Sequence, residues 1–85
     1  MELKGRTIII TGASSGIGET AAVLFAAQGA NLVLGARRQV LLERLAGKID
    51  DHNGRAVFLA GDVRQEAYAV DLVKLAKAEY GGLDG

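Results

Sequence analysis

At 85 residues the chain makes one small unit, and a chain this short buries only about 60–65 % of the surface that its unfolded form exposes. Nearly half of the residues are apolar (49 %), 12 are glycine, and none is proline, tryptophan or cysteine; this marks a globular chain and excludes a disulfide framework, thiolate chemistry and a cysteine-based metal site. Ten basic side chains balance ten acidic ones without a long basic run, so nothing here is built to hold nucleic acid or an anionic membrane.

Arg6 to Thr11 reads as the first strand, continuously apolar over Ile8-Ile9-Ile10 as a parallel strand covered on both faces is. Thr11-Gly12-Ala13-Ser14-Ser15-Gly16-Ile17-Gly18 comes next, followed by a helix-like segment from Glu19 to Gln28. Strand, glycine-rich turn and helix start adjoin without a spare residue. Such a junction leaves the first N–H groups of the helix without partners and pointing out of its positive end, which suits an anion such as a pyrophosphate. Gly12 is placed for a tight turn closed to other residues, Gly16 to let a phosphate approach, and Gly18 to let helix and strand pack closely. The spacing G-x-x-x-G-x-G is one residue longer at the front than the common G-x-G-x-x-G. A nucleoside-triphosphate loop needs Gly-Lys-Ser/Thr at its end; Glu19-Thr20 stands there instead, and a carboxylate would repel the β- and γ-phosphates. A tight βα turn that binds nothing is the plain alternative.

Ser14 or Ser15 is placed to cap the first helix, whose spacing predicts Ile17, Ala21, Leu24 and Phe25 as its buried face and an end at Gly29. Ala30 to Ala36 is the second strand. The second helix runs from about Gln39 to Asp51, turns Leu41, Leu42, Leu45 and Ile49 toward the sheet, and stops at His52-Asn53-Gly54. Arg55 to Gly61 is the third strand, and about Gln65 to Tyr80 the third helix, with Ala69, Leu72, Val73, Ala76 and Tyr80 on one face. The order βαβαβα fills residues 1–85 without a linker or internal boundary. Right-handed crossovers put the strands in the order 3-2-1, so the fold class is α/β: the first half of a three-layer, doubly wound parallel sheet of Rossmann type. The first strand then lies at an edge, and an uncovered edge predicts self-association or loose packing.

The ends of the second and third strands hold the other candidates. Sites for NAD(H) carry an acidic residue about 20 positions past the glycines to bind the ribose 2′-hydroxyl. Ala36-Arg37-Arg38 stands there, and two guanidinium groups favour the 2′-phosphate of NADP(H) over NAD(H). Each charge-assisted hydrogen bond of that kind contributes about 1.5–3 kcal/mol. The alternative is that both arginines are solvated residues ahead of a helix. Asp62-Val63 lies on the carboxyl edge where open α/β sheets bind ligands, but Asp62 and Gln65 also have the spacing of a capping box. His52 is alone in a loop and reads as solvated, Asp50-Asp51 as a solvent-facing pair, and no metal site is expected.

On these residues the chain resembles the short-chain dehydrogenase/reductase family. Thr11-Gly12-Ala13-Ser14-Ser15-Gly16-Ile17-Gly18 is similar to its cofactor loop Thr-Gly-x-x-x-Gly-x-Gly at every fixed position. Leu3-Lys4-Gly5-Arg6, Asp62-Val63 and Tyr80-Gly81-Gly82-Leu83-Asp84-Gly85 are similar to family segments in the same order. The resemblance implies an oxidoreductase that passes hydride between NADPH and a carbonyl/alcohol substrate, with this chain as the N-terminal half of its cofactor-binding domain. It implies that amides and serines from Gly12 to Gly18 touch the adenosine phosphate, that Ile17 lies near the pyrophosphate and nicotinamide ribose, and that Asp62 and Val63 contact adenine. It also implies a homo-oligomer for the complete enzyme, and a cytoplasmic location is the default expectation. The family's catalytic tyrosine has a lysine four residues on, so that a helix puts both on one face. Leu72 follows Tyr68 at that distance and Asp84 follows Tyr80, so no catalytic residue is assigned and the 85 residues alone are expected to be inactive. A non-catalytic NADP(H)-binding module and a βα scaffold without nucleotide are the competing readings.

Overall fold

A computed structural model describes residues 3–85. Six elements alternate: β1 (Thr7–Thr11), α1 (Gly16–Ala27), β2 (Asn31–Ala36), α2 (Gln39–Asp51), β3 (Arg55–Ala60) and α3 (Glu66–Tyr80). The strands form one parallel sheet in the order β1-β2-β3, the expected 3-2-1, with Thr7 opposite Asn31 and Asn31 opposite Arg55. Every loop therefore starts the next strand at the same level, and the three carboxyl ends finish side by side.

β2 is the middle strand and the most deeply buried; Leu32, Val33 and Leu34 are wholly inaccessible. Its pleat divides them. Leu32 and Leu34 pack with Ala22 of α1 and Leu42, Leu45 and Ile49 of α2, while Val33 faces Tyr68, Leu72 and Ala76 of α3. α1 and α2 thus share one face of the sheet and α3 has the other, as crossovers of one hand require. Each fully buried leucine contributes roughly 1.5–3 kcal/mol relative to an exposed one.

Two helix faces differ from the sequence expectation. α1 buries Gly18 and Ala22, Ala21 and Phe25 are half-buried, and Ile17 and Leu24 are exposed. A row of small residues at four-residue spacing, Gly18, Ala22 and Ala26, brings the helix close to the sheet and rotates the larger side chains outward. α3 buries Tyr68 in place of Ala69, because the tyrosine ring fits beneath two strand ends that carry Gly35 and Gly61. Both helices stop as expected: α1 ahead of Gly29 (φ +88°), and α3 at Gly81 (φ +79°), whose N–H donates to Lys77 O at 2.9 Å.

The outer edge of β1 is not bare. Gly85 N–H donates to Thr7 O (3.1 Å) and Ile9 N–H donates to Gly85 O (2.7 Å), the parallel-ladder pattern centred on Ile8. Asp84 adds a carboxylate that accepts from Thr7 N–H at 2.8 Å. The expected open edge is thus occupied over Thr7–Ile9 by the chain's own last residues.

Candidate functional site

The loop between β1 and α1 is held by its own backbone. Gly12 adopts φ +66°, a left-handed conformation that other residues avoid, and its carbonyl accepts from Ser15 N–H at 3.0 Å and from the Ser15 hydroxyl at 2.8 Å. Ser15 is the N-cap: its Oγ accepts from Gly18 N–H at 3.2 Å. A methyl group on Gly18 would collide with the Gly12 carbonyl oxygen, so the close helix–loop contact requires glycine there. Around Gly16 there is only open space, which leaves the helix start accessible from outside. Ala13 is buried, and its N–H donates to Gly35 O at 3.1 Å, tying the loop to the end of β2.

These bonds leave the Ser14, Gly16 and Ile17 N–H groups without an acceptor among the described residues. They lie at the positive end of a 12-residue helix, so the loop is a ready anion seat. Ser14 and Ser15, interchangeable in the sequence, divide here: Ser15 caps, and Ser14 lines the cleft. Ile17 stands 87 % exposed on the first turn of α1.

A cleft of about 400 Å³ opens from this loop across the carboxyl ends of β2 and β3. Gly12 and Ser14 border it on the loop side, Arg37 and Arg38 at the end of β2, and Val63 beyond β3. The sequence-derived site residues therefore converge on one edge of the sheet, although only Gly12, Ser14, Arg37, Arg38 and Val63 line the cleft, and Ala13, Ser15, Gly16, Ile17, Gly18 and Asp62 do not. Gly35, Leu41, Gly61 and Tyr68 also line it and were not foreseen. Gly35 reads as an interior residue of its strand and Gly61 as the end of its own, and the tyrosine that both lie above is brought to them only by the fold.

Asp62 does not cap α3. Gln65 holds the N-cap position without a side-chain cap bond, and Asp62 instead closes on Arg64: Oδ1 accepts from Arg64 N–H (2.9 Å) and Oδ2 from Nη2 (2.8 Å). Arg37 Nη2 lies 3.6 Å from the same carboxylate. The side-chain hydrogen bonds from Arg64, then its backbone N–H, hold the Asp62 carboxyl well below the usual carboxylate range. The carboxylate thus sits between two guanidinium groups, one of which borders the cleft. Arg38 makes no ion pair among the described residues.

His52 is exposed, with Nδ1 2.8 Å from Lys48 O, and Asp50 and Asp51 are exposed beside it. Among the described residues no group of three or more His, Cys, Asp or Glu side chains could hold a metal ion, and no helix is long and apolar enough to cross a membrane.

The family model for short chain dehydrogenase matches residues 6–85. An uncharacterized oxidoreductase of Listeria innocua is 48 % identical over 84 residues, covering 99 % of this chain and 34 % of that protein. Among solved structures, a citronellol catabolism dehydrogenase of Pseudomonas aeruginosa superposes with a TM-score of 0.88 at 41 % identity, covering 95 % of this chain and 34 % of that one. The L-sorbose reductase of Gluconobacter frateurii, solved with NADPH and L-sorbose, superposes with a TM-score of 0.92 at 34 % identity, covering 99 % and 32 %. The chain spans about a third of the length of these relatives. A family-model match that runs from Arg6 to Gly85 places the chain in the short-chain dehydrogenase family.

Proposed function

We propose that this chain is the NADP(H)-binding part of a short-chain oxidoreductase that transfers hydride between NADPH and a carbonyl/alcohol pair. The observation that supports the reading is the pairing of two anion-seeking features on one edge of the sheet. Unpartnered amides of Ser14, Gly16 and Ile17 stand at the loop end, and the Arg37 and Arg38 guanidinium groups border the end of β2. A dinucleotide bearing a diphosphate and a 2′-phosphate presents charges suited to both. Gly12, Ala13, Ser14, Ser15, Gly16, Ile17 and Gly18 would surround the diphosphate, and Asp62 and Val63 the adenine. The NADPH bound by the L-sorbose reductase is in keeping with this choice of cofactor.

The nicotinamide supplies the hydride. The chain's own residues bind and orient, and neither Tyr68 nor Tyr80 is followed four residues later by a lysine, Leu72 and Asp84 standing there instead. Carbonyl reduction belongs to the whole enzyme, as does homo-oligomer assembly, and the 85 residues alone should bind cofactor without turning it over.

Titration of the chain with NADPH and with NADH tests the reading. NADPH should bind more tightly, and Arg37→Asp should reverse the preference, with a loss of NADPH affinity of about tenfold or more for one charge-assisted hydrogen bond. Binding of neither nucleotide would sink the cofactor assignment; an unaltered preference in the variant would sink the role of Arg37 alone.

A further inference from the structure

Tyr68 lies in the first turn of α3 and is 7 % exposed, yet it lines the cleft. Its ring runs beneath the ends of β2 and β3. A methyl group on Gly61 would strike the ring, with Cε1 at 2.6 Å, and one on Gly35 would lie 2.6 Å from the phenolic oxygen. The penultimate residue of β2 and the residue just after β3 are thus both glycine over the same aromatic side chain, and any larger residue at either place would displace it. The hydroxyl donates to Leu59 O at 2.6 Å, which fixes the tilt of the ring. Burial pushes the phenol above its ordinary value, so it remains a proton donor in that bond at neutral pH.

The ring therefore lies at the base of the cleft, directly under two glycines. Ala36 and the exposed, apolar Val63 line the same cleft. Small apolar walls above an aromatic base suit a planar ring system with few polar demands.

We propose that Tyr68 is a specificity-determining residue for the base of the bound nucleotide: seated under Gly35 and Gly61 and tethered to Leu59 O, its ring sets the depth of a purine slot between Ala36 and Val63. This rests on the dinucleotide reading. It adds a residue that the reading does not need, one that acts on the base alone and leaves the phosphates to the loop and the arginines.

The test compares NADPH with its etheno-adenine analogue, whose base carries an extra fused ring, on the wild-type chain and on two variants. Tyr68→Phe keeps the ring and should keep the wild-type ratio of the two affinities. Tyr68→Leu shortens the floor and should shift that ratio toward the bulkier base by about tenfold, the scale on which apolar pockets discriminate small differences in size. A merely structural role would weaken both ligands alike and leave the ratio unmoved, which overturns the proposal while NADPH binding and the reading beneath it stand. Failure of the wild-type chain to bind either nucleotide overturns the reading and the proposal with it. Should Tyr68→Leu not fold, magnetisation transfer in the wild-type complex decides. A nuclear Overhauser contact between Tyr68 ring protons and adenine ring protons is expected, and its absence with NADPH bound overturns the proposal.

Discussion

The two faces of the sheet are built from different materials. On the face shared by α1 and α2, Leu32 and Leu34 meet Ala22, Leu42, Leu45 and Ile49, an aliphatic core without a polar atom in its side chains. On the α3 face, Val33 is covered by Tyr68, Leu72 and Ala76, with Tyr80 packed alongside. Both tyrosines hydrogen-bond strand carbonyls, Tyr68 to Leu59 O and Tyr80 to Leu32 O (3.2 Å). The first face holds by area and close packing; the second holds by less area together with two directed bonds. Area tolerates any pH, whereas a phenolic donor works only while it keeps its proton.

Breaking the aliphatic face should have the largest effect. Leu34→Ala empties a site with no solvent access and should cost about 2–5 kcal/mol, read as a drop in the urea midpoint with an unchanged slope. Alkali should separate the two faces next. Burial, the first cause in both cases, raises the Tyr68 and Tyr80 phenols, and the neighbouring Glu79 charge raises Tyr80 further. The unfolded chain therefore gives up these protons first. Stability should be intact below the ordinary phenol value of 10.0 and fall as pH rises through the raised folded values. With two tyrosines and no tryptophan, tyrosinate absorbance followed beside helix circular dichroism should show ionisation and loss of structure together.

A smaller change is expected for Tyr80→Phe, which keeps the ring and removes one bond; unfolding should be easier by about 0.5–1.5 kcal/mol, and part of the alkaline sensitivity should go with the hydroxyl. Smallest of all is Ile17→Ser. The side chain is 87 % exposed, so thermal unfolding should shift by no more than the equivalent of about 0.5 kcal/mol. A large loss of stability there would mean that Ile17 is packed in solution.

Why one face was legible in the sequence and the other less so follows from the same contrast. Gln39–Asp51 reads as a helix with three of its four expected inward side chains buried, because Leu42, Leu45 and Ile49 recur at helical spacing, while Leu41 is half-buried at the cleft. The strands are plain for the same reason. α1 was misjudged because close approach selects small residues, so Gly18 and Ala22 are buried where size alone points to Ile17 and Leu24. α3 was misjudged at Tyr68, where a tyrosine finds room only through glycines on two other elements, a relation no local periodicity contains. At the cleft, the glycine loop and the arginines were visible because their chemistry is written in single residue types. The fate of Asp62 was not: capping spacing with Gln65 is real, but Arg64 lies nearer and holds the carboxylate more strongly.

The bond from Ala13 N–H to Gly35 O reaches beyond its one acceptor. It ties the loop to the strand whose next residues are Ala36 and Arg37, so the loop amides and the arginine side chains are anchored to one strand end. Under the proposed function the cleft would act as a caliper: a ligand would be gauged by the separation of its charges, and one a bond too short or too long would forfeit one jaw however well it filled the other.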